Sequence, residues 1–320
     1  MKTLPSAGLG WLLLAAAVIA YLLLPDYLLL LGNLCILAIF ALSYDLLQGH
    51  AGIVSLGHAA FFGIGAFTAA LMAHAGIAEP LLGLAGATLL SAVVALVLTP
   101  VVVRGNDFTR LLVTLGIGFL FYEAANSARW LTGGADGMPD FEVGPVLGLF
   151  SFDFLGRTAF FYALAVLVAV FVLLRRVTQS PFGLALRGLR ENSRRMPAIG
   201  APVARHLAMA YTLSGAIAGL AGAVLAQTTR FASIDMLGFD RSAEVMMMTT
   251  IGGSGSIPGV VLGAAAFGFL KDYLSAVSPK YWHLGLGLVL MVSVFVIRGG
   301  IAGALAVGVS ALRRRFGGAR

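Results

Sequence analysis

Charge is what this sequence has least of. Only 11% of its 320 residues are charged, while 59% are hydrophobic. An ordinary soluble domain carries about a quarter charged residues. So few charges cannot cover a globule of this size, and they suit a protein whose solvent is lipid. Cysteine is almost missing. The single one, Cys35, lies inside an apolar run, so no intrachain disulfide can form and the redox compartment cannot be argued from it. The five histidines and this cysteine show no zinc-type spacing. A Walker A motif is also missing: in the Gly-rich run "TTIGGSGSIPG" (249–259) no Lys-Ser/Thr pair follows the glycines. That run is not a nucleophile elbow either. Ser256 stands where G-x-S-x-G needs glycine, and no acid lies near either serine. The chain is therefore not expected to be an enzyme. A net charge of +7 would raise nucleic acid for a soluble protein. Here the basic residues sit mostly between apolar runs, where membrane topology accounts for them better.

What the sequence does have is long apolar runs and 41 glycines. A spanning helix needs roughly 20 predominantly apolar residues. Candidates fall near 8–24, 27–47, 51–73, 81–103, 109–127, 158–176, 207–228, 241–251, 259–277 and 282–298. The expected fold is an all-α, polytopic membrane protein with about ten transmembrane helices (8–10), some short or broken. The first run reads as a retained helix rather than a signal peptide. No small-x-small cleavage site follows it, and Pro25-Asp26 leads straight into the next run. The eighth candidate is too short to span comfortably and is interrupted at once by "GGSGSIPG". Residues 1–300 are expected to form one transmembrane domain that includes a cytoplasmic segment, 180–206. Residues 301–320 are expected to form a basic cytoplasmic tail.

Orientation follows from the basic residues, because Lys and Arg accumulate on the cytoplasmic side. The loop after the sixth run holds Arg175, Arg176, Arg187, Arg190, Arg194, Arg195 and Arg205 against Glu191 alone. The loop before that run holds Asp136, Asp140, Glu142 and Asp153 against Arg129 and Arg157. The basic loop is expected inside and the acidic "TGGADGMPDFEVG" loop outside, with both termini cytoplasmic. Lys271 and Lys280 fit this less well, since both fall toward the outer side.

One stretch raises a sharper question. "GIVSLGHAAFFGIGAFTAAL" (52–71) is nearly apolar enough to be an anchor, yet it carries four glycines, a serine and a histidine. Read as a helix, it puts Ser55, Ala59 and Gly63 on one face, with Ala66 and Ala70 as a second small row. Small residues let helices approach closely in lipid. Alternatively the glycines permit a break beside a water-filled pathway, the setting in which irregular backbone is tolerated at membrane depth. Both readings stay open. His58 has two readings as well: an intramembrane functional group, or a histidine near the cytoplasmic end, hydrogen-bonded to a neighbouring helix. The second is preferred, because His50 is close by. "LGHAAF" (56–61) recurs as "LGAAAF" (262–267), each after a Gly-rich, Ser-containing interruption. This hints at an internal repeat with broken segments at matching places, a pointer to a transport pathway.

The most informative polar segment is "SPFGLALRGLRENSRRMPAIGAPVARH" (180–206). Ser180 before Pro181 reads as an N-cap with proline at the first helical position. Phe182, Leu184, Leu186 and Leu189 with Arg187, Arg190 and Arg194 make a short amphipathic helix. Pro197 must end it or start another. Such a helix lies on the anionic leaflet or docks a cytoplasmic partner.

Five stretches, in order, resemble one family. They are "LLQGHAGIVSLGHAAFFGIGAFTAA" (46–70), "RGNDFTRLLVTLG" (104–116), "LTGGADGMP" (131–139), "SPFGLALRGLRENSRRMPAIG" (180–200) and "IGGSGSIPGVVLGAA" (251–265). Together the chain looks like a branched-chain amino acid ABC transporter permease of the LivM type, over about residues 30 to 275. The resemblance implies a permease subunit of an importer in the bacterial inner membrane. Its partners would be a second permease, two cytoplasmic ATPases and an extracytoplasmic binding protein. No cofactor would be bound by this chain, and ATP would be used by the partners. On this basis Phe182, Gly183, Arg187, Arg190, Glu191 and Gly200 are expected to couple to the ATPase. Gly57, His58, Gly63, Gly252, Gly253 and Gly255 are expected to line or pack the pathway. Asp136, Asp140 and Glu142 offer a landing place for the binding protein. Two departures stand out: Arg194, Arg195, Met196 and Pro197 replace an alanine-rich stretch of the coupling segment, and Arg110 is added in the second motif. They leave the solute open among branched-chain or other amino acids, amides, urea and aromatic acids. The competing reading is a stand-alone secondary transporter or channel. It needs an acidic coupling-ion site near the midplane, for which Asp45 is the one candidate.

Overall fold

The structure is a computed structural model that describes residues 25–304 apart from 154, 194, 297 and 298. The run at 8–24, Lys2, Arg194 and most of the basic tail lie outside the described residues. Most of the described chain is helix. We number the principal helices α1 (Pro25–Ala51), α2 (Ala59–His74), α3 (Pro80–Val102), α4 (Asp107–Ser127), α5 (Arg157–Gln179), α6 (Pro181–Asn192), α7 (Val203–Thr229), α8 (Phe239–Gly252), α9 (Ile257–Val277) and α10 (Trp282–Val296).

Among the described residues six helices are long and apolar enough to cross a membrane: α1, α3, α4, α5, α7 and α9. The chain is therefore a multi-pass, all-helical membrane protein, but a count of ten spans is not supported. The shortfall lies in α2, α8 and α10, with 16, 14 and 15 residues. At 1.5 Å per residue these run about 21–24 Å, short of a hydrocarbon core of about 30 Å.

Burial sorts the helices. In α1, 78% of the most apolar window is buried, and in α7 72%, against 22% in α3 and 11% in α4. A helix that is hydrophobic all round belongs in the interior, and α1, reading LLLLGNLCILAIFALSYD from Leu28 to Asp45, is such a helix. In α3 the buried positions Gly83, Ala87, Ser91, Ala95 and Thr99 recur every four residues. This narrow stripe of small side chains packs on α7, while Leu89, Val93, Leu96 and Val97 point outward, as expected of a lipid-facing surface. The helices α2, α3 and α7 touch almost backbone to backbone. A Cβ on Gly65 would overlap the Gly219 carbonyl, one on Gly222 the Phe62 carbonyl, and one on Gly219 the Ser91 side chain. This is the close approach that small residues allow in lipid.

The ends of the helices gather at two poles. At one pole Tyr162 donates to Gln227 Oε1 at 2.7 Å, and Gln227 Nε2 donates to the Pro80 carbonyl at 2.8 Å, all buried. Here strand β1 (Met138–Pro139) pairs antiparallel with β2 (Phe231–Ala232). Asp136, Asp140 and Glu142 are all exposed at this pole. The opposite pole holds α6, the α1–α2 and α8–α9 connections, and the α3–α4 turn.

The misfit of Lys271 has a structural reason. Its Nζ lies 2.5 Å from Glu244 Oε1 and 5.1 Å from the centre of the Trp282 ring, and Arg241 Nη1 holds Glu244 Oε2 at 3.1 Å. Lys271 is thus the counterion of a buried acid on α8 rather than a topology signal. Removing one partner of a buried pair is costly, about 3–5 kcal/mol. Glu244→Leu is therefore expected to lower the melting temperature of the purified protein sharply. The double variant Glu244→Leu with Lys271→Met is expected to regain most of that loss. Equal melting temperatures for single and double variants would show that the pair is idle.

Candidate functional site

The stretch 52–71 is not one helix. The α1 helix ends in a π-helical turn, Leu46–Ala51, and Gly52 follows in the left-handed region at φ +75°. Residues 53–58 then run back into the protein without helical structure, and α2 begins only at Ala59. The expected helix over 51–73 is corrected accordingly. Ser55 does not share a helical face with Ala59 and Gly63. A non-helical segment among buried helices must find partners for its backbone groups. Leu56 N–H donates to Thr114 Oγ1 on α4 at 3.1 Å, and Ala59 N–H donates to Ser242 Oγ on α8 at 2.9 Å. Gly57 lies flat against the Thr114 carbonyl, where a Cβ would not fit. Π-turns and irregular segments of this kind often sit at functional sites.

His58 closes the segment. It is fully buried. Ser43 Oγ donates to the Phe40 carbonyl at 2.6 Å, so the 2.9 Å contact with His58 Nε2 has the ring N–H as donor. The expected hydrogen bond to a neighbouring helix is thus present. The ring also stacks on Phe40 at 5.6 Å and meets Tyr44 and Phe61 edge-on at 5.3 and 5.9 Å. Emptying so filled a site in His58→Ala is expected to cost about 2–5 kcal/mol, read as a lower melting temperature. An unchanged melting temperature would contradict this packing role.

A second break mirrors the first. The α8 helix stops at Gly252; Gly253 and Gly255 take φ +98° and +87°, and α9 starts at Ile257 with Ser256 Oγ accepting from Gly259 N–H. Gly252, Gly259 and Gly263 let α8 and α9 meet backbone to backbone. Of the glycines expected along a pathway, Gly57, Gly63 and Gly252 pack, while Gly253 and Gly255 break. "LGAAAF" lies inside α9, past its first turn, whereas "LGHAAF" straddles the start of α2. The two hexapeptides are therefore out of step with their helices. The two helix–break–helix units are side by side, with α1 packed on both α8 and α9.

The breaks meet. Asp45, 1% exposed, accepts from Gly255 N–H at 2.7 Å and has His50 Nδ1 at 3.5 Å from its other oxygen. Thr249 Oγ1 on α8 donates to Gln48 Oε1 in the π turn at 2.9 Å. Arg190 of α6 donates to the Gly49 carbonyl of the same turn.

The α6 helix has the expected start, with Ser180 Oγ accepting from Gly183 N–H and Pro181 at the first position. It ends at Asn192, and Pro197 sits in a 3₁₀ turn, Met196–Ile199. Gly183, Leu186 and Leu189 face the protein, with Gly183 against the Thr178 carbonyl. Leu184, Arg187 and Glu191 face outward, Leu184 at 63% exposure. Phe182 is half-buried, stacked on His206 at 5.8 Å. Gly200 turns the chain at φ +80° in open space. A cleft of about 260 Å³ opens between α6 and the start of α4, with Arg110, Asp107, Glu191 and Asn192 on its walls. Sequence reasoning missed Thr114, Ser242 and Thr249. The one signal for Thr114 and Thr249 was a hydroxyl inside an apolar run; Ser242, in "FDRSAE", had none.

A multi-pass helical protein with two paired helix breaks and an amphipathic helix beneath them has the build of a membrane transport component. Residues 27–297 match the family described as branched-chain amino acid transport system / permease component, and the chain belongs to that family. It is 31% identical over 249 residues to the high-affinity branched-chain amino acid transport system permease protein LivM of Salmonella typhimurium, and 29% identical over 249 residues to LivM of Escherichia coli. Each alignment covers 71% of this chain and 58% of the relative. The ribose import permease protein RbsC of Bacillus subtilis is 29% identical over 171 residues, covering 48% of this chain and 52% of that protein. The chain thus spans rather more than half the length of the relatives it matches. No solved structure matches it.

Proposed function

We propose that this chain is the membrane-spanning permease subunit of an ATP-driven importer in the bacterial inner membrane, with both termini in the cytoplasm. It forms half of the translocation pathway, and a second permease subunit forms the other half. The proposed solute is a branched-chain amino acid or a related small polar molecule, delivered by a binding protein to the pole bearing Asp136, Asp140 and Glu142. Two cytoplasmic ATPases bind the nucleotide and drive the cycle, and this chain is not itself an enzyme.

The observation that carries the reading is α6. One face of it is anchored on the protein and the other, Leu184, Arg187 and Glu191, is open at the pole where both helix breaks lie. A partner that moves α6 therefore moves the breaks. The residue on which a stand-alone carrier would rest, Asp45, is instead held by Gly255 N–H and His50. Purification of the tagged chain from its native membrane tests the proposal. Stoichiometric recovery of ATPase subunits and a second permease is expected. A homogeneous solitary protein that transports without ATPase subunits would overturn it.

A further inference from the structure

We propose that Arg190 is a transmission residue rather than a docking residue: it ties α6 to both helix breaks at once, so that movement of α6 is passed to the pathway through one guanidinium. The inference rests on the importer reading above for its consequence, but not for its geometry. Arg190 stands four helical positions from Leu186; the residue is exposed as a whole, but its stem lies against Gly52. A Cβ at Gly52 would come 3.1 Å from Arg190 Cγ and 3.3 Å from its Cα, which together with φ +75° explains glycine at that position. Beyond the stem, Nη1 donates to the Gly49 carbonyl in the π turn of α1. That carbonyl ends a helix and points where a cation is favoured.

The second break is at the same point. A Cβ at Gly255 would lie 3.0 Å from Arg190 Nη1 and 3.1 Å from the Gly49 oxygen, so the α8–α9 turn is pressed against the arginine contact itself. Gly255 N–H is in turn held by Asp45, one turn before Gly49 on α1. Four stretches thus converge: α6, the π turn, the left-handed Gly52 and the Gly253–Ser256 turn. Leu184 and Glu191 on the far side of α6 take no part in this contact, and Arg187 Nη2 donates elsewhere, to the Thr178 carbonyl at 3.4 Å. Docking and transmission are carried by opposite faces of one short helix.

Hydrogen–deuterium exchange on the purified chain in nanodiscs reads the node without any partner. In Arg190→Ala, amides in 46–58 and 253–256 are expected to exchange about tenfold faster or more, as for the loss of one charge-assisted hydrogen bond. In Arg205→Ala, an exposed arginine at the start of α7, they should keep the original rate. Unchanged exchange in Arg190→Ala would overturn the proposal. If that variant does not accumulate, Arg190→Lys, which retains one donor, should give an intermediate rate; a rate equal to the unaltered protein would again overturn it. In the assembled transporter, Arg190→Ala is expected to keep its ATPase subunits while the ATP hydrolysed per solute imported rises about tenfold. Loss of those subunits would show that Arg190 docks instead. If the unaltered chain recruits no ATPase, the importer reading falls, and the exchange result alone still decides whether the node exists.

Discussion

Gly222→Val is expected to remove almost all folded protein from the membrane. A Cβ at this position would overlap the Phe62 carbonyl and lie 3.1 Å from Ala66 N, both backbone atoms of α2. Backbone inside two packed helices cannot step aside as a side-chain tip can, so α2 and α7 must separate. Overpacking usually costs about 1–3 kcal/mol. Here the whole α2–α3–α7 contact is disturbed, and the expected cost is at the upper end or beyond. That is a large share of a total stability of about 5–15 kcal/mol. The yield of monodisperse protein by size-exclusion chromatography should fall at least about tenfold, the equivalent of about 1.4 kcal/mol. Gly65→Leu should do the same, because its Cβ would overlap the Gly219 carbonyl. Gly63→Leu should be gentler, since its nearest obstacle is the Leu237 side chain. Gly116→Ala is the control: nothing lies within 4 Å of a Cβ there. Normal yield of Gly222→Val would show that the close approach of α2 and α7 is not what holds the fold.

The paired change Leu184→Asp with Arg187→Glu is expected to strip the ATPase subunits from the complex while the permease still inserts and folds. Both residues are exposed on α6; Leu184 makes no bond to the body, and Arg187 Nη2 makes one long bond to the Thr178 carbonyl at 3.4 Å, whose loss is expected to leave the fold in place. Arginine is among the residues that most often carry the binding energy at the centre of an interface, at about 2 kcal/mol or more. A charge reversal there adds repulsion. Co-purified ATPase should drop below about a tenth, in line with a loss near 1.4 kcal/mol or more. Full recovery of ATPase in this variant would move the docking surface elsewhere, with the cleft walled by Arg110 and Asp107 the next place to look.

The apolar runs announced most of the helices, since burial in lipid requires them to be continuous. Where helices stop was much harder to read. Residues 52–58 carry no charged side chain that would mark a loop, and Ser55 and Gly57 are tolerated in either conformation. The break is held by Thr114 and Ser242, 58 and 183 residues away from their partners. No local pattern carries that information. The start of α6 and its periodicity were legible, from its Ser180 cap onward, because both are local, but the helix ends at Asn192, short of the expected Arg194. Arg190 was grouped with Arg187 in the coupling set; it is exposed, and its guanidinium also reaches back to the Gly49 carbonyl, a contact that no local pattern announces. Lys271 misled for a related reason: a charge in an apolar run signals topology unless it is paired, and Glu244 pairs it from another helix. Acidic residues at the β1–β2 pole were expected to be accessible, and Asp136, Asp140 and Glu142 are all exposed.

The most direct test of the account is uptake by proteoliposomes that contain the complete complex, with binding protein outside and ATP inside. Radiolabelled leucine, isoleucine and valine are the first solutes to try. Uptake is expected to need ATP, the binding protein and an intact α6 surface, and not to be driven by ion gradients alone. Uptake by this chain without ATPases, powered by a proton or sodium gradient and lost in Asp45→Asn, would contradict it.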